Sequence, residues 1–327
     1  MTQLQVREDV FRLREVFTIS RGSRTHARVV TVTLTDGAHR GRGECVPYAR
    51  YGETVEGVIA EIEKFAPDVA SGRLDRLSLQ EALPPGAARN ALDCAFHDLE
   101  AERAGKAIHA LLGLSEPKPL TTAFTLSLAE PEAMRAKAAE NAHRPLLKIK
   151  LGGEGDIARI EAVRAGAPSS TIIVDANEGW TLDLYQEIAP VLLRLGVAVV
   201  EQPLPAGADE ALSGIERPLP ICADESCHDS HSLAALAGRY DMVNIKLDKT
   251  GGLTEALALK RAAIEQGFGV MVGCMVGSSL AMAPAVIVAQ GAELVDLDGP
   301  LLLAEDRDPA ILFQGSTLIP PPPALWG

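Results

Sequence analysis

From Leu146 to Asp248 a charged residue closes one short apolar run after another, and that alternation narrows the folds open to the chain. LLKIKL carries Lys148 and Lys150, TIIVDAN carries Asp175, and VAVVEQP carries Glu201. LPICADES then carries Asp224, and DMVNIKLD carries Lys246. Between Lys150 and Lys246 the charges fall 25, 26, 23 and 22 residues apart, a spacing that suits one βα unit each. Short β-branched apolar runs read as buried parallel strands. Parallel strands share a direction, so charges at their C-terminal ends converge at one mouth of a barrel, where barrel enzymes keep their chemistry.

The full length of 327 residues accommodates one large α/β domain and a smaller one, and 47% hydrophobic content supports a sizeable core. A formal charge of −13 with no basic stripe argues against nucleic acid. The N-terminus, MTQLQVREDVFRLREVF, is charged throughout and lacks the apolar centre of a signal peptide. The most apolar stretch, Ser278 to Val295, is interrupted by Pro284, Gln290 and Glu293, so no membrane span is expected. Five cysteines, mostly in apolar surroundings, read as free buried thiols of a cytoplasmic protein.

The first part of the chain has a texture of its own. ARVVTVTLTDGAHRGRGECVPY alternates apolar and polar residues about Asp36-Gly37, a hairpin signal, so antiparallel strands are expected up to about Pro47. Helical spacing follows over Glu53–Phe65 and Gly86–Gly105. Ile19–Arg28 and Tyr48–Glu53, rich in Arg, Gly and Tyr, read as loops. From about Leu120 strands and helices alternate, beginning with TTAFTLSL and ending with GVMVGCM and ELVDLDG. Eight such strands argue for a TIM-like barrel. The tail STLIPPPPALWG reads as an extended arm.

Asp175, Glu201 and Asp224 sit on three successive strands. Three hard oxygen donors there match a six-coordinate Mg²⁺ with positions open to substrate oxygens. Zinc does not fit, because the spacing of Cys222, Cys227 and His228 matches no zinc pattern. Lys148 and Lys150 are two apart on a strand and share a face; Lys246 lies across the barrel. A lysine is a poor base at its free pKa of about 10.4, but a nearby divalent cation or second ammonium lowers that value. Lysines on two sides of a metal-held carboxylate suit removal of the proton α to it, with Lys148 and the metal stabilising the enediolate. A proton that leaves one face and returns on the other gives the epimer. Asp296 and Asp298 of DLDGP share a face and suit a substrate ammonium; a second metal site or strand-end turn chemistry would use them as well.

The Lys-x-Lys of LLKIKL, the carboxylates of IVDANE, VEQPLP and ICADES, and the lysine of NIKLDKTGG together resemble the enolase superfamily, muconate-lactonizing subgroup. The likeness covers nearly the whole chain. It implies an α/β protein with an α+β capping domain, about residues 1–115 joined by the C-terminal tail 300–327. A modified TIM-like (β/α)₇β barrel over 116–299 would be the catalytic domain. Within the subgroup, DLDGP is similar to the dipeptide epimerases, where paired aspartates hold a dipeptide's free amino group. ISRGSR, PYARYGE and CADESCH resemble the epimerases that act on L-Ala-D/L-Glu, in murein peptide recycling. There a cap arginine meets the glutamate side chain, and Arg24 matches it, although Arg21, Arg28 and Arg50 are neighbouring cations. Thr125 resembles a substrate-contacting hydroxyl, and is equally a half-buried strand residue. The resemblance implies Mg²⁺ as cofactor, a small dipeptide as ligand, and no nucleic-acid or membrane partner. Dimers and octamers both occur in this fold, so a homo-oligomer is compatible with it. The rivals are an N-acylamino-acid racemase, an o-succinylbenzoate synthase or a muconate-type cycloisomerase, whose substrates lack a free ammonium, and a non-catalytic metal-dependent binding barrel.

Overall fold

The computed structural model describes residues Met1–Gly327. Three antiparallel strands open the chain: β1 (Gln3–Ile19), β2 (Gly22–Asp36) and β3 (His39–Cys45), in the order β1-β2-β3. The Asp36-Gly37 turn joins β2 to β3, with Gly37 at φ +61° supplying the left-handed residue such turns need. One expectation is corrected here. Ile19–Arg28 is not a loop: β1 and β2 pair to their ends, with Ile19 opposite Gly22 and Phe17 opposite Arg24, and only Ser20 and Arg21 form the tip. The polar, Gly-containing sequence resembles a loop because this ribbon projects beyond the core and has little to bury.

Helices α1 (Val55–Glu63), α2 (Ala66–Ser71), α3 (Arg76–Ala82), α4 (Ala87–Ala104) and α5 (Ile108–Leu111) follow. Helix α4 lies hard against β3, and residue size decides that. A Cβ at Gly41 would come 2.2 Å from the Ala95 carbonyl oxygen, and one at Gly43 2.1 Å from that of Ala91. Glycines on the strand and alanines on the helix therefore let the two backbones meet.

A short sheet of β4 (Leu120–Thr121) with β13 (Phe313–Gln314) and β14 (Thr317–Leu318) leads into the barrel. Its eight strands are β5 (Phe124–Leu126), β6 (Leu146–Lys150), β7 (Thr171–Asp175), β8 (Val197–Glu201), β9 (Ile221–Ala223), β10 (Met242–Ile245), β11 (Gly269–Gly273) and β12 (Leu294–Asp296). They pair in parallel in chain order, and at the seam the Ala123 N–H donates to the Val295 carbonyl at 2.8 Å. Between the strands run α6 (Pro131–Glu140), α7 (Asp156–Gly166), α8 (Leu182–Arg194), α9 (Leu233–Leu236), α10 (Leu247–Thr250), α11 (Leu253–Glu265) and α12 (Ser279–Ala289), and α13 (Gly299–Leu302) follows β12. The most apolar stretch of the sequence is α12, buried along its whole length. No helix is long and apolar enough to cross a membrane.

Strand alternation builds the barrel interior in layers. Ala123, Leu146, Ile173, Val199, Cys222, Met242 and Met271 pack together as an apolar floor. Two residues further along, the same strands present Thr125, Lys148, Asp175, Glu201, Asp224, Asn244 and Gly273. Floor and active layer are thus one periodic pattern in which the residue type switches from apolar to mostly polar and charged.

The antiparallel unit is bolted to the barrel by α4. Arg89 donates to the carbonyls of Thr250 (2.7 Å) and Gly251 (3.2 Å), and Asp93 accepts from the Thr254 hydroxyl (2.6 Å) and N–H (3.0 Å). The tail is packed down rather than extended into solvent. Trp326 is buried and donates its indole N–H to the Cys94 carbonyl, and the Gly327 N–H donates to Asp98 at 2.7 Å. All five cysteines are free thiols, and only Cys274 is not fully buried.

Candidate active site

Asp175 and Glu201 are the last residues of β7 and β8, and Asp224 follows β9 directly. One oxygen from each lies within 4.8 Å of the others, and all three residues are buried. Four ammonium groups close on this trio. Lys150 Nζ is 2.6 Å from Asp175 Oδ2, and Lys246 Nζ is 2.7 Å from Asp224 Oδ2. Lys148 Nζ is 2.8 Å from Asp296 Oδ2, 3.2 Å from Asp175 Oδ2 and 2.6 Å from Glu201 Oε2. Lys249 donates to Asp224 Oδ1 at 2.7 Å and to the Asn244 carbonyl at 2.9 Å.

The charges shape one another. Burial pushes the Asp175 carboxyl upward, but Lys150 and Lys148 outweigh it and hold it below the usual carboxylate range. Asp224 is likewise held well below that range, burial being overcome by Lys246 and Lys249. Glu201 behaves oppositely: burial and the neighbouring Asp175 push it up to about 7. Its Oε1 accepts from Asn244 Nδ2 at 2.7 Å, whereas Oε2 has only the close approach of Lys148, which lacks hydrogen-bond geometry. A fully buried carboxylate oxygen without a donor is expensive unless a cation serves it. Three buried carboxylates with no sulfur or imidazole among them fit a hard cation such as Mg²⁺.

Asp296 and Asp298 lie on the far side of Lys148. Asp296 Oδ1 is buried and has no hydrogen-bond partner. Burial and Asp296 push Asp298 up to about 7, and its Oδ2 accepts the Thr125 N–H at 2.6 Å. Thr125 is therefore tied to Asp298 rather than standing free.

The antiparallel unit covers the mouth as a cap. Arg21 reaches Glu225 at 2.7 Å and Glu178 at 3.1 Å, and Arg50 forks onto both oxygens of Glu178 at 2.7 Å each. Arg28 pairs with Glu8 and Glu56, away from the mouth. Arg24 alone of these four arginines has no acidic partner; it sits over the Phe17 ring, 5.5 Å from its centre, and lines the mouth cavity. Burial, and to a smaller degree Arg21, lower its proton affinity. That cavity, about 40 Å³, is bounded by Arg24, Tyr51, Lys150, Asp224, Glu225 and Lys246, among others. Arg21, Arg24, Tyr48 and Tyr51 of the cap form one side of it, so movement of the cap edge would change its size. A roomier cavity, about 740 Å³, lies beside the ribbon and α6 and contains none of the lysines or metal-ligand candidates at the mouth. Size there does not mark the chemistry.

Several residues at the mouth were not singled out by sequence reasoning. Lys249 sits three residues beyond Lys246, one helical turn away, and that spacing was available as a signal. Gln202, at φ +35°, accepts the Asp224 N–H and donates to Tyr240, fixing two metal-ligand strands to one another. His228 lies edge-on to the Tyr51 ring, and His231 is on the surface; neither belongs to the cluster that could hold the cation.

Residues 132–301 match the family model described as enolase C-terminal domain-like, and residues 1–113 match the mandelate racemase / muconate lactonizing enzyme N-terminal domain. The L-Ala-D/L-Glu epimerase of Escherichia coli K12 is 47% identical, over 97% of this chain and 99% of that protein. The N-acetyl-D-glutamate racemase of a Pseudoalteromonas species is 45% identical, over 91% and 95%. An Agrobacterium tumefaciens enolase family member with homology to dipeptide epimerases, solved with sodium and L-Ala-L-Glu, superposes with a TM-score of 0.98 at 57% identity, over 100% of both chains. The Cytophaga hutchinsonii dipeptide epimerase, solved with Mg and D-Ala-L-Val, gives 0.90 at 30% identity, over 98% and 93%.

Proposed function

The chain belongs to the enolase superfamily, in its mandelate racemase and muconate lactonizing branch, and from that premise we propose that it is a Mg²⁺-dependent dipeptide epimerase acting on L-Ala-D-Glu and L-Ala-L-Glu. The observation that carries the reading is the approach of Lys150, at the end of β6, and Lys246, directly after β10, to opposite members of one buried carboxylate trio. When bound by Asp175, Glu201 and Asp224, the cation supplies positive charge for the substrate α-carboxylate and for the enediolate. Lys150 takes the α-proton from one face, and Lys246 returns a proton on the other; in the reverse direction the roles exchange. Lys148, gripped by Glu201 and Asp296, adds a second positive charge beside the developing anion. Asp296, with its unpartnered Oδ1, and Asp298 receive the dipeptide ammonium, and Thr125 holds Asp298 in place. Arg24 meets the γ-carboxylate. Residues 1–115 with the tail 300–327 act as the lid, and residues 116–299 as the catalytic barrel. Murein peptide recycling in the cytoplasm is the setting we propose for this substrate.

A second reading has one observation in its favour, the 45% identical N-acetyl-D-glutamate racemase. N-acetylglutamate shares both carboxylates but has no ammonium, which leaves the buried Asp296 Oδ1 without a donor. Incubating the protein with a dipeptide library and with N-acetyl-D-glutamate in D₂O, and following α-deuterium uptake by mass, tests both. Deuterium entering L-Ala-Glu is expected; uptake confined to N-acetylglutamate would reverse the assignment.

A further inference from the structure

The hydroxyl of Tyr51 is buried and has no hydrogen-bond partner. Buried donors are almost always paired, so one left open in a reaction cavity points to a ligand atom. The ring is part of the wall of the mouth cavity, together with Arg24, Lys150, Asp224 and Lys246. Its orientation is fixed from several sides. The Tyr48 ring packs against it at 5.5 Å and the His228 ring edge-on at 4.7 Å. Its N–H donates to the Tyr48 carbonyl, and Glu53 accepts the N–H groups of Tyr48 and Ala87, which anchors the turn to α4. Arg50, next in the chain, pins the turn to the barrel through Glu178. A side chain held this firmly, with its only polar atom unserved, is built for something that arrives.

We propose that Tyr51 is a substrate-binding residue whose hydroxyl donates a hydrogen bond to a carboxylate of the bound dipeptide. The wall it shares sets Arg21, Arg24, Lys150 and Lys246 against Asp224 and Glu225, and Arg24 is the one cation of that wall with no carboxylate partner, so an anionic oxygen is the group it draws there. Burial and the neighbouring Asp224 and Glu225 keep the phenol protonated, and it meets that oxygen as a donor. A short charge-assisted bond of this kind would hold the carboxylate in place while the lysines act.

The inference rests on the dipeptide reading, and Tyr51→Phe tests it, since the ring keeps its packing and only the hydroxyl is lost. KM for L-Ala-L-Glu should rise about tenfold, the loss expected for one hydrogen bond to a charged acceptor, with kcat changed by less than about twofold. L-Ala-L-Leu identifies the acceptor: an equal rise in KM marks the α-carboxylate, and no rise marks the side-chain carboxylate. Unchanged KM for both dipeptides, with active wild type, overturns the inference. Should the wild type turn over neither dipeptide, the epimerase reading falls, and glutarate binding measured by calorimetry in Mg²⁺ still decides Tyr51. Roughly tenfold weaker glutarate binding by Tyr51→Phe supports the contact; equal binding, or none to either protein, overturns it.

Discussion

Arg50 forks onto both carboxylate oxygens of Glu178, at 2.7 Å each, across the gap between the cap turn and the barrel. Glu178 is nearly buried, and besides Arg50 it holds Arg21 and the Ala206 N–H. The fork ties the turn that carries Tyr51, part of the mouth-cavity wall, to the barrel, so its strength sets how readily that turn opens. We predict that Glu178→Gln, which removes the charge and keeps the shape, raises amide hydrogen exchange over residues 48–53 about fivefold. That corresponds to a pair worth about 1 kcal/mol. Exchange equal to wild type would mean that packing, not the ion pair, holds the turn down.

Metal removal should silence the enzyme without unfolding it. Lys148, Lys150, Lys246 and Lys249 already balance much of the charge on the carboxylates. Chelator-treated protein is therefore expected to keep its circular dichroism and lose activity, with Mg²⁺ restoring it. Asp224→Asn should bind the ion weakly by direct titration, because one of three charged ligands is gone. Full activity in metal-free buffer would refute the cation's role.

Lys150 and Lys246 predict separable half-reactions. Lys246→Ala should abolish epimerisation but still permit solvent exchange of the α-proton facing Lys150, and Lys150→Ala the converse. Each loss should be roughly 10²–10⁴-fold, the usual worth of a positioned acid–base group. Isotope exchange followed on L-Ala-D-Glu and L-Ala-L-Glu separately distinguishes the faces. A single variant that epimerised at near wild-type rate would assign that lysine another job.

Asp248 gives a pH dependence remote from the metal trio. Burial pushes its carboxyl up to about 7, and its Oδ1 accepts both the Val46 N–H at 2.9 Å and Asn90 Nδ2 at 2.8 Å. The folded protein thus keeps a proton that the unfolded chain releases near pH 4. The stability this group contributes is whole below pH 4 and is lost as pH climbs through 7. Asp248→Asn mimics the protonated form, since one amide oxygen can accept both donors. Its Tm relative to wild type should rise by a few degrees between pH 5 and pH 8. A variant equally destabilised at both values would show that the anion itself is what Val46 and Asn90 bind.

The barrel and its reactive layer were legible because both follow strand periodicity: Ile173 and Asp175, or Cys222 and Asp224, are the same inward positions one step apart. The cap was harder to read. Arg24 lies on a strand because it pairs with Phe17 across the Ser20-Arg21 tip, and the polar ISRGSR lacks the apolar alternation that would mark such a hairpin. Tyr51 and Lys249 are placed by partners contributed by other elements, His228 for one, Asp224 and Asn244 for the other. Local pattern marks residues whose role comes from their own strand. It does not mark those whose role comes from a distant contact.

Arg24 is where substrate choice should be decided. Arg21 is neutralised by Glu178 and Glu225, and Arg50 by Glu178, so neither has charge to spare for a ligand. Arg24 faces the same cavity with no carboxylate of its own. In the proposed complex the cation takes the α-carboxylate and Asp296 with Asp298 the ammonium, which leaves the γ-carboxylate for a planar guanidinium fork. Cap closure removes water around that pair and strengthens it. We predict that Arg24→Leu lowers kcat/KM for L-Ala-D/L-Glu by about 10²-fold or more, in line with roughly 2–5 kcal/mol for a broken buried charge pair. L-Ala-L-Leu and L-Ala-L-Phe should be processed as well as before or better, because Leu offers those side chains an apolar wall beside Phe17. Assaying acidic and apolar dipeptides on one preparation decides the matter. Equal loss on both would give Arg24 a structural duty in the ribbon, and loss on neither would leave the γ-carboxylate to another donor.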